Sequence, residues 1–172
     1  MMVLETQRLR LSKLSTADAP FIVELLNDQA FLRYIGDRGV RNIDDACRYI
    51  LTGPVAMYEE HGFGLWKVEL RDTGEPIGMC GLLKRDTLPD VDIGFAFLPQ
   101  FRSQGYGLEG ARAVMDYGRR VVGLKRIVAI TSLNNESSAS LLGKVGFRFE
   151  RLMEHGEKRE EIKLFAWNLD SV

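Results

Sequence analysis

Cysteine, histidine and proline are all scarce here: 172 residues hold two cysteines, two histidines and five prolines. Cys47 and Cys80 lie far apart, form no C-x-x-C and fall in apolar-periodic segments. That excludes a disulfide scaffold and points to buried free thiols in a reducing compartment. His61 and His155 have no ligand-type spacing around them, so no metal site is expected. Charge of one sign is missing too, with 23 basic against 24 acidic residues and a net charge of -1. This argues against nucleic acid as the main partner. No apolar run reaches about 18 residues, and the opening Met1-Met2-Val3-Leu4-Glu5 lacks a basic segment followed by an apolar one. Neither a membrane span nor a signal peptide is expected, and the cytoplasm follows by default.

What is present is the composition of an ordinary globular protein, 45% hydrophobic and 27% charged. The length predicts one domain over residues 1–172, burying roughly 70% of its unfolded surface. Residues 3–14 alternate apolar and polar through Leu9 and Leu11, which predicts a half-buried strand. Ser15 or Thr16 then caps a helix reaching about Asn27, with Phe21, Ile22, Leu25 and Leu26 on one face. Asn42 caps a second helix, which Gly53-Pro54 interrupts; a break or kink is expected near residue 52. Phe63–Arg71 and Pro76–Lys84 form a hairpin about Asp72-Thr73-Gly74-Glu75, and a short turn leads to a strand over 91–98.

The stretch from Asp92 to Gly107 organises the rest. An apolar strand runs into Arg102-Ser-Gln-Gly105-Tyr-Gly107, and a helix opens at Leu108-Glu109. Leu108, Ala111, Val114, Met115, Gly118, Val121 and Val122 make one stripe at helical period, with Gly123 as a C-terminal cap. A buried strand, Arg126–Thr131, follows, so 91–98 and 126–131 are read as parallel neighbours joined by a crossover. A short helix to about Lys144 and two final strands, Phe147–Met153 and Glu161–Leu169, complete a mixed α+β chain. A glycine loop opening a helix leaves backbone N–H groups unpartnered at the positive end of the helix dipole, which suits a phosphate or pyrophosphate. The glycine pair alone is weak, since 17 glycines make chance matches and Gly62-Phe-Gly64 is another. Its context strengthens it: a strand before, a helix after and Arg102 just ahead. No G-K-[ST] follows, which excludes a P-loop.

Arg102-Ser-Gln-Gly105-Tyr-Gly107 resembles the R/Q-x-x-G-x-G/A signature of the GNAT superfamily of acetyl-coenzyme A-dependent N-acetyltransferases. Three further segments match in order. Leu4-Glu-Thr-Gln-Arg-Leu-Arg-Leu11 and Pro76-Ile-Gly-Met-Cys-Gly-Leu82 are similar to strands of the Rim-type branch, the ribosomal-protein N-terminal acetyltransferases and their relatives. Asn135-x-x-Ser138, with Lys144-Val-Gly-Phe147 following, resembles that branch's N-x-x-S…E-K-x-G-F block. The resemblance covers nearly the whole chain. It implies a GNAT-like fold: a twisted, mostly antiparallel sheet of six to seven strands, a splayed parallel central pair and about four helices.

The resemblance also implies a site. The N–H groups of Ser103, Gln104, Gly105, Tyr106, Gly107 and Leu108, with Arg102, would hold the pyrophosphate of acetyl-CoA, the two glycines admitting its close approach. Free backbone groups of Ala96, Phe97 and Leu98 would pair with the pantetheine arm, which Asn135 would also contact. Ser138 would meet the leaving thiolate; the bland alternative is that it caps or packs in the last helix. Many family members carry a tyrosine four residues later as general acid, and here that position is Leu142. Asp92 sits where some relatives place a catalytic glutamate; the alternative is a solvated carboxylate at a strand start. Lys144 would reach the cofactor's phosphates or simply offset a helix dipole. The acceptor is then a primary amine, either a protein N-terminus or a small molecule, on an enzyme that is a monomer or homodimer. A non-catalytic acyl-CoA sensor is the competing reading.

Overall fold

The alternation of the first dozen residues is cut by a turn. Thr6 N–H donates to the Leu9 carbonyl at 2.9 Å, and Leu9 N–H donates to Thr6 Oγ1 at 3.0 Å. The single expected strand is therefore a hairpin, β1 (Met2–Glu5) and β2 (Leu9–Ser12), and the sheet gains an eighth member. A computed structural model describes residues 1–169. Its remaining strands are β3 (Leu65–Leu70), β4 (Pro76–Leu83), β5 (Asp92–Phe97), β6 (Arg126–Ser132), β7 (Arg148–His155) and β8 (Glu160–Asn168). Their spatial order is β1-β2-β3-β4-β5-β6-β8-β7. Every neighbouring pair is antiparallel except β5 and β6. Those two are parallel and register at one position only, Asp92 opposite Val128, beyond which they part.

Among the described residues five α-helices cover the sheet: α1 (Ala19–Leu26), α2 (Ile43–Ile50), α3 (Ala56–His61), α4 (Tyr106–Tyr117) and α5 (Glu136–Val145). Asn42 caps α2 as its residue type predicts, accepting from Asp45 N–H at 2.8 Å. Pro54 lacks the N–H that an α-helical turn needs. The chain answers by widening over Leu51–Val55 to an i→i+5 turn before α3 resumes, with no outright break. Gly123, at φ 84°, ends the helical run after α4. No helix among the described residues is long and apolar enough to cross a membrane.

Side chains alternate across β5, and so the sheet has two distinct faces there. Phe97 lies against α4, where it nears the Cα positions of Gly107 and Gly110. Ala96 and Met79 belong instead to the cluster built from Phe21, Ile22, Leu25 and Ile50 of α1 and α2. By the same alternation Asp92 and Gly94 face α1 and α2. The fully buried Trp66, Leu9, Leu11 and Ile77 belong to the core on the α4 face.

Tyr58 locks α3 to the sheet. Its buried hydroxyl accepts from Leu14 N–H at 3.1 Å and donates to the Leu65 carbonyl. Burial raises its pKa far above the ordinary phenol value, so it stays a donor. Tyr58→Phe strands both backbone groups, and urea unfolding should show a loss of about 1–3 kcal/mol. A loss below about 0.5 kcal/mol, the range of an ordinary surface change, would mean the hydroxyl is not structurally committed.

Candidate active site

The loop after β5 is shaped by two left-handed residues, Ser103 at φ 62° and Gly105 at φ 85°. Left-handed backbone is costly for serine and free for glycine. Between them the chain turns sharply enough for α4 to begin without a side-chain cap. The first bond within reach of the helix is Glu109 N–H to the Gly105 carbonyl at 3.0 Å. The N–H groups of Ser103, Gln104, Gly105, Tyr106, Gly107 and Leu108 have no acceptor among the described residues. These are the orphan donors of a helix start, and the dipole of the twelve-residue α4 adds positive potential to them. An anion with several oxygens suits them. The glycines have separate reasons. Gly105 is needed for its backbone angle, whereas a Cβ on Gly107 would sit 2.8 Å from Leu141 Cδ1 of α5. Packing between α4 and α5, as well as ligand approach, therefore excludes a side chain at Gly107.

A brace holds this loop. Arg8, in the β1–β2 turn, donates from Nε to Glu109 Oε1 at 2.7 Å and from its backbone to Oε2 at 2.9 Å. It donates again from Nη1 to the Gln104 carbonyl at 3.0 Å, and its guanidinium lies 4.3 Å over the Tyr106 ring. Thr6 Oγ1 donates to Glu109 at 2.5 Å. Burial works against charge on Glu109, yet Thr6 and Arg8 together hold its carboxyl below the usual range. None of this was visible in the spacing, because Arg8 and Glu109 are 101 residues apart.

Arg102 corrects an expectation. Its N–H donates to the Pro99 carbonyl at 3.3 Å, and its guanidinium donates to the Phe97 carbonyl from Nη2 at 2.7 Å and from Nε at 3.1 Å. Nη2 also meets Asp28 Oδ2 at 2.5 Å. The side chain thus ties the end of β5 to the turn after α1, instead of turning toward the orphan N–H groups.

The edge of β5 also differs from expectation. Val128 N–H donates to the Val91 carbonyl on the β6 side, and Leu98 N–H donates to the Ile77 carbonyl on the β4 side. Backbone groups alternate along a strand, so Ala96 and Leu98 face β4. The groups exposed by the parting of β5 and β6 are the N–H and carbonyl of Phe95 and the N–H of Phe97. Of the three residues assigned to the arm, only Phe97 offers such a group; Phe95, which was not among them, offers two. On the facing strand, the hydroxyls of Thr131 and Ser132 are buried without partners among the described residues. Single-sequence reading offered no signal for either.

Asn135 caps α5, accepting from Ser138 N–H at 3.2 Å. Ser138 itself is therefore not the cap. Its hydroxyl, half-buried on the first turn of α5, has no partner among the described residues. The Asn135 amide hydrogens are likewise uncommitted. Lys144 is exposed at the far end of α5, where its carbonyl accepts from Arg112 Nη2 at 3.5 Å.

Asp92 is the most perturbed carboxylic acid. It is 0% exposed, its Oδ1 accepts from Arg85 Nε at 3.1 Å, and its Oδ2 has no partner among the described residues. The solvated alternative fails, because the side chain sits inside the sheet at the point where β5 and β6 part. Burial pushes its pKa up to about 6, with the Arg85 charge opposing. A buried carboxyl that titrates near neutrality is suited to proton transfer.

With that geometry in view, the comparisons with known proteins are direct. A family model described as an acetyltransferase (GNAT) domain matches residues 8–148. The chain belongs to the GNAT acetyltransferase family. It is 33% identical to the uncharacterised N-acetyltransferase YoaA of Bacillus subtilis over 152 residues, covering 88% of this chain and 85% of that protein. A GNAT-family acetyltransferase structure from Bacillus anthracis superposes with a TM-score of 0.81 at 22% identity, covering 99% of each chain. RimL, a ribosomal L7/L12 alpha-N-protein acetyltransferase solved with coenzyme A, superposes at 0.84 with 16% identity over 100% of both chains. This GNAT chain shares the fold of both solved structures.

Asp92 makes a linkage prediction. Its folded pKa of about 6 lies above the ordinary aspartate value of 3.8, so the folded state holds the extra proton. Stability from this group is greatest below pH ~4, declines as pH rises and is fully lost above pH ~6, a span on the order of 3 kcal/mol. Asp92→Asn keeps an acceptor for Arg85 and removes the titration. The stability of wild type relative to this variant, from urea unfolding, should therefore fall between pH 4 and pH 7. A flat difference would show that Asp92 titrates normally.

Proposed function

We propose that this GNAT protein transfers an acetyl group from acetyl-CoA to a primary amine in a ternary complex. The observation that carries this reading is the parting of β5 and β6 beside the uncapped start of α4. It sets a free, amide-pairing strand edge next to a cradle of N–H donors. A pantetheine arm is rich in amides and a pyrophosphate is rich in anionic oxygens, so the donor set fits both.

In this reading the N–H groups of 103–108 hold the pyrophosphate. Phe95 and Phe97 pair with the arm, and Asn135 offers its amide from across the cleft. Lys144 lies on the same helix as Asn135 and supplies positive charge toward the nucleotide end. Arg102 acts indirectly, by fixing the Phe97 carbonyl and hence the free edge. Bound acetyl-CoA supplies a thioester, an acyl group already activated toward amines. Asp92 takes the proton that the amine must lose; an α-ammonium titrates near pH ~8, within reach of such a base. A free N–H on β5 stabilises negative charge on the thioester oxygen. Ser138 gives a hydrogen bond to the departing sulfur, a task the tyrosine position cannot perform here because it is Leu142. The amine enters from the α1–α2 face, where Asp92 points, opposite the face occupied by α4.

Two measurements test this. Gly105→Glu places a side chain and a negative charge at a backbone of φ 85° in the cradle. Calorimetry should show CoA binding abolished; retained affinity would refute the pyrophosphate assignment. In a free-thiol release assay, Ser138→Ala and Asp92→Asn should each lower kcat by about 10-fold or more while CoA affinity stays unchanged. Asp92→Asn should also erase the acidic limb of the kcat/KM profile near pH 6. Unchanged rates would return both residues to structural roles.

A further inference from the structure

The sheet ends in two unlike edges. β1 is four residues long, whereas β7 runs for eight, and among the described residues nothing pairs with its outer side. A long open edge invites a further strand, and its side chains decide which strand it accepts. Two of them are large, apolar and exposed, Phe149 at 55% and Leu152 at 48%. The Phe149 ring meets Phe165 of β8 edge-on at 5.8 Å between centroids, which positions it while its outer side stays bare.

A bulge sets how these side chains are arranged. Phe149 pairs with Phe165 and Arg151 with Leu164, so Glu150 is the extra residue. Paired residues share a face of the sheet. Phe149 and Leu152, opposite Phe165 and Lys163, therefore stand on the face that α4 covers. Arg148, Arg151 and Met153, opposite Ala166, Leu164 and Ile162, stand on the other. Glu150 joins them: its carboxylate accepts from Arg126 Nη2 at 3.0 Å, and Arg126 shares a face with Val128, two residues along β6. Alternation along β7 is thus broken once, between Glu150 and Arg151, and runs symmetrically away from that point in both directions.

That symmetry singles out a partner. Two identical strands that pair antiparallel about a two-fold axis must oppose residues of like face. For β7 the condition holds along the strand only when the axis passes between Glu150 and Arg151. Phe149 then meets Leu152 of the second copy, and the reciprocal pair completes an apolar cluster on one face. On the other face Glu150 meets Arg151 of the second copy, again reciprocally. Arg151 makes no hydrogen bond or ion pair among the described residues, and Arg126 takes only Oε1 of the Glu150 carboxylate. Moving the axis onto Arg151 would oppose Glu150 to Leu152 and set Arg151 against its own copy, like charge on like charge.

We propose that β7 pairs with β7 of a second copy of this chain, in the register that opposes Phe149 to Leu152 and Glu150 to Arg151. The bulge and the charges make this edge a poor template for other strands, and its own copy matches both. β6 and β8 lie between β5 and the joint, so the inference stands apart from the acetyltransferase chemistry.

Sedimentation velocity on the full chain over a dilution series is the test. Wild type should pass from monomer to dimer as concentration rises. Glu150→Arg sets arginine against arginine, and Arg151→Glu sets glutamate against glutamate. Each should raise the dimer dissociation constant about tenfold or more. Mixed in equal amounts, the two variants restore opposite charge at both positions and should form a dimer that neither forms alone. Leu152→Gln changes the apolar contact and leaves every charge, and the Arg126 ion pair, in place. It too should raise the constant about tenfold. Wild type that stays monomeric throughout, or a dimer whose constant ignores Leu152→Gln and both charge reversals, would overturn the inference. So would a mixture that associates no better than its components.

Discussion

One parallel contact governs this molecule. β5 and β6 meet at Asp92 and Val128 and then separate, although each continues as a strand. A strand edge buried without partners is costly, since every peptide N–H and carbonyl lost to water must be matched. The structure tolerates the gap because its groups are few and their setting is rigid. Arg102 takes the Phe97 carbonyl, while Arg8, Thr6 and Glu109 pin the start of α4. What remains open at Phe95, Phe97 and the loop after Ser103 is a set of donors and acceptors held apart for a substrate to complete. Preorganisation of this kind lowers the ordering cost of binding.

The gap also divides labour between two faces. On one lie α4, α5, Asn135 and Ser138, which suit a phosphate-bearing, amide-rich molecule. On the other lie Asp92, Arg85, Tyr49 and His155, drawn from four separate elements. The sheet passes between them, so two reactants can meet only where the strands part. Asp92 stands at that point. Its burial costs stability at neutral pH, a cost that a purely structural residue at a strand start would not need to impose.

Much of the architecture was legible because it depends on neighbours in sequence. The apolar stripe of α4 as far as Gly118, the Asp72–Glu75 turn, the Asn42 cap and the Gly123 terminus are each set within a few residues, whereas Val121, read into the same stripe, is exposed. Errors came where a local signal was ambiguous. Alternation through residues 3–14 looks the same for one strand or for two joined by a turn, and only the Thr6–Leu9 bonds decide. The Pro54 signal was real, but a widened turn resolved it without breaking the helix. In the candidate site, the loop, its glycines and the helix behind it were readable, because a left-handed glycine before an uncapped helix is a local device.

The sequence alone determined which backbone could cradle an anion and where the strands on either side of it begin. Tertiary structure decided what the side chains there do. Arg102 faces Asp28, Ser138 cedes capping to Asn135, and Asp92 is buried, not solvated. It also set the strand parity that makes Phe95 and Phe97 the free edge, and it brought Arg85 against Asp92 and His155 against Thr87. The physical reason is range. Propensity, periodicity and capping act over a few residues along the chain. Burial, charge and unsatisfied hydrogen bonds act through space, between groups the sequence leaves dozens of positions apart.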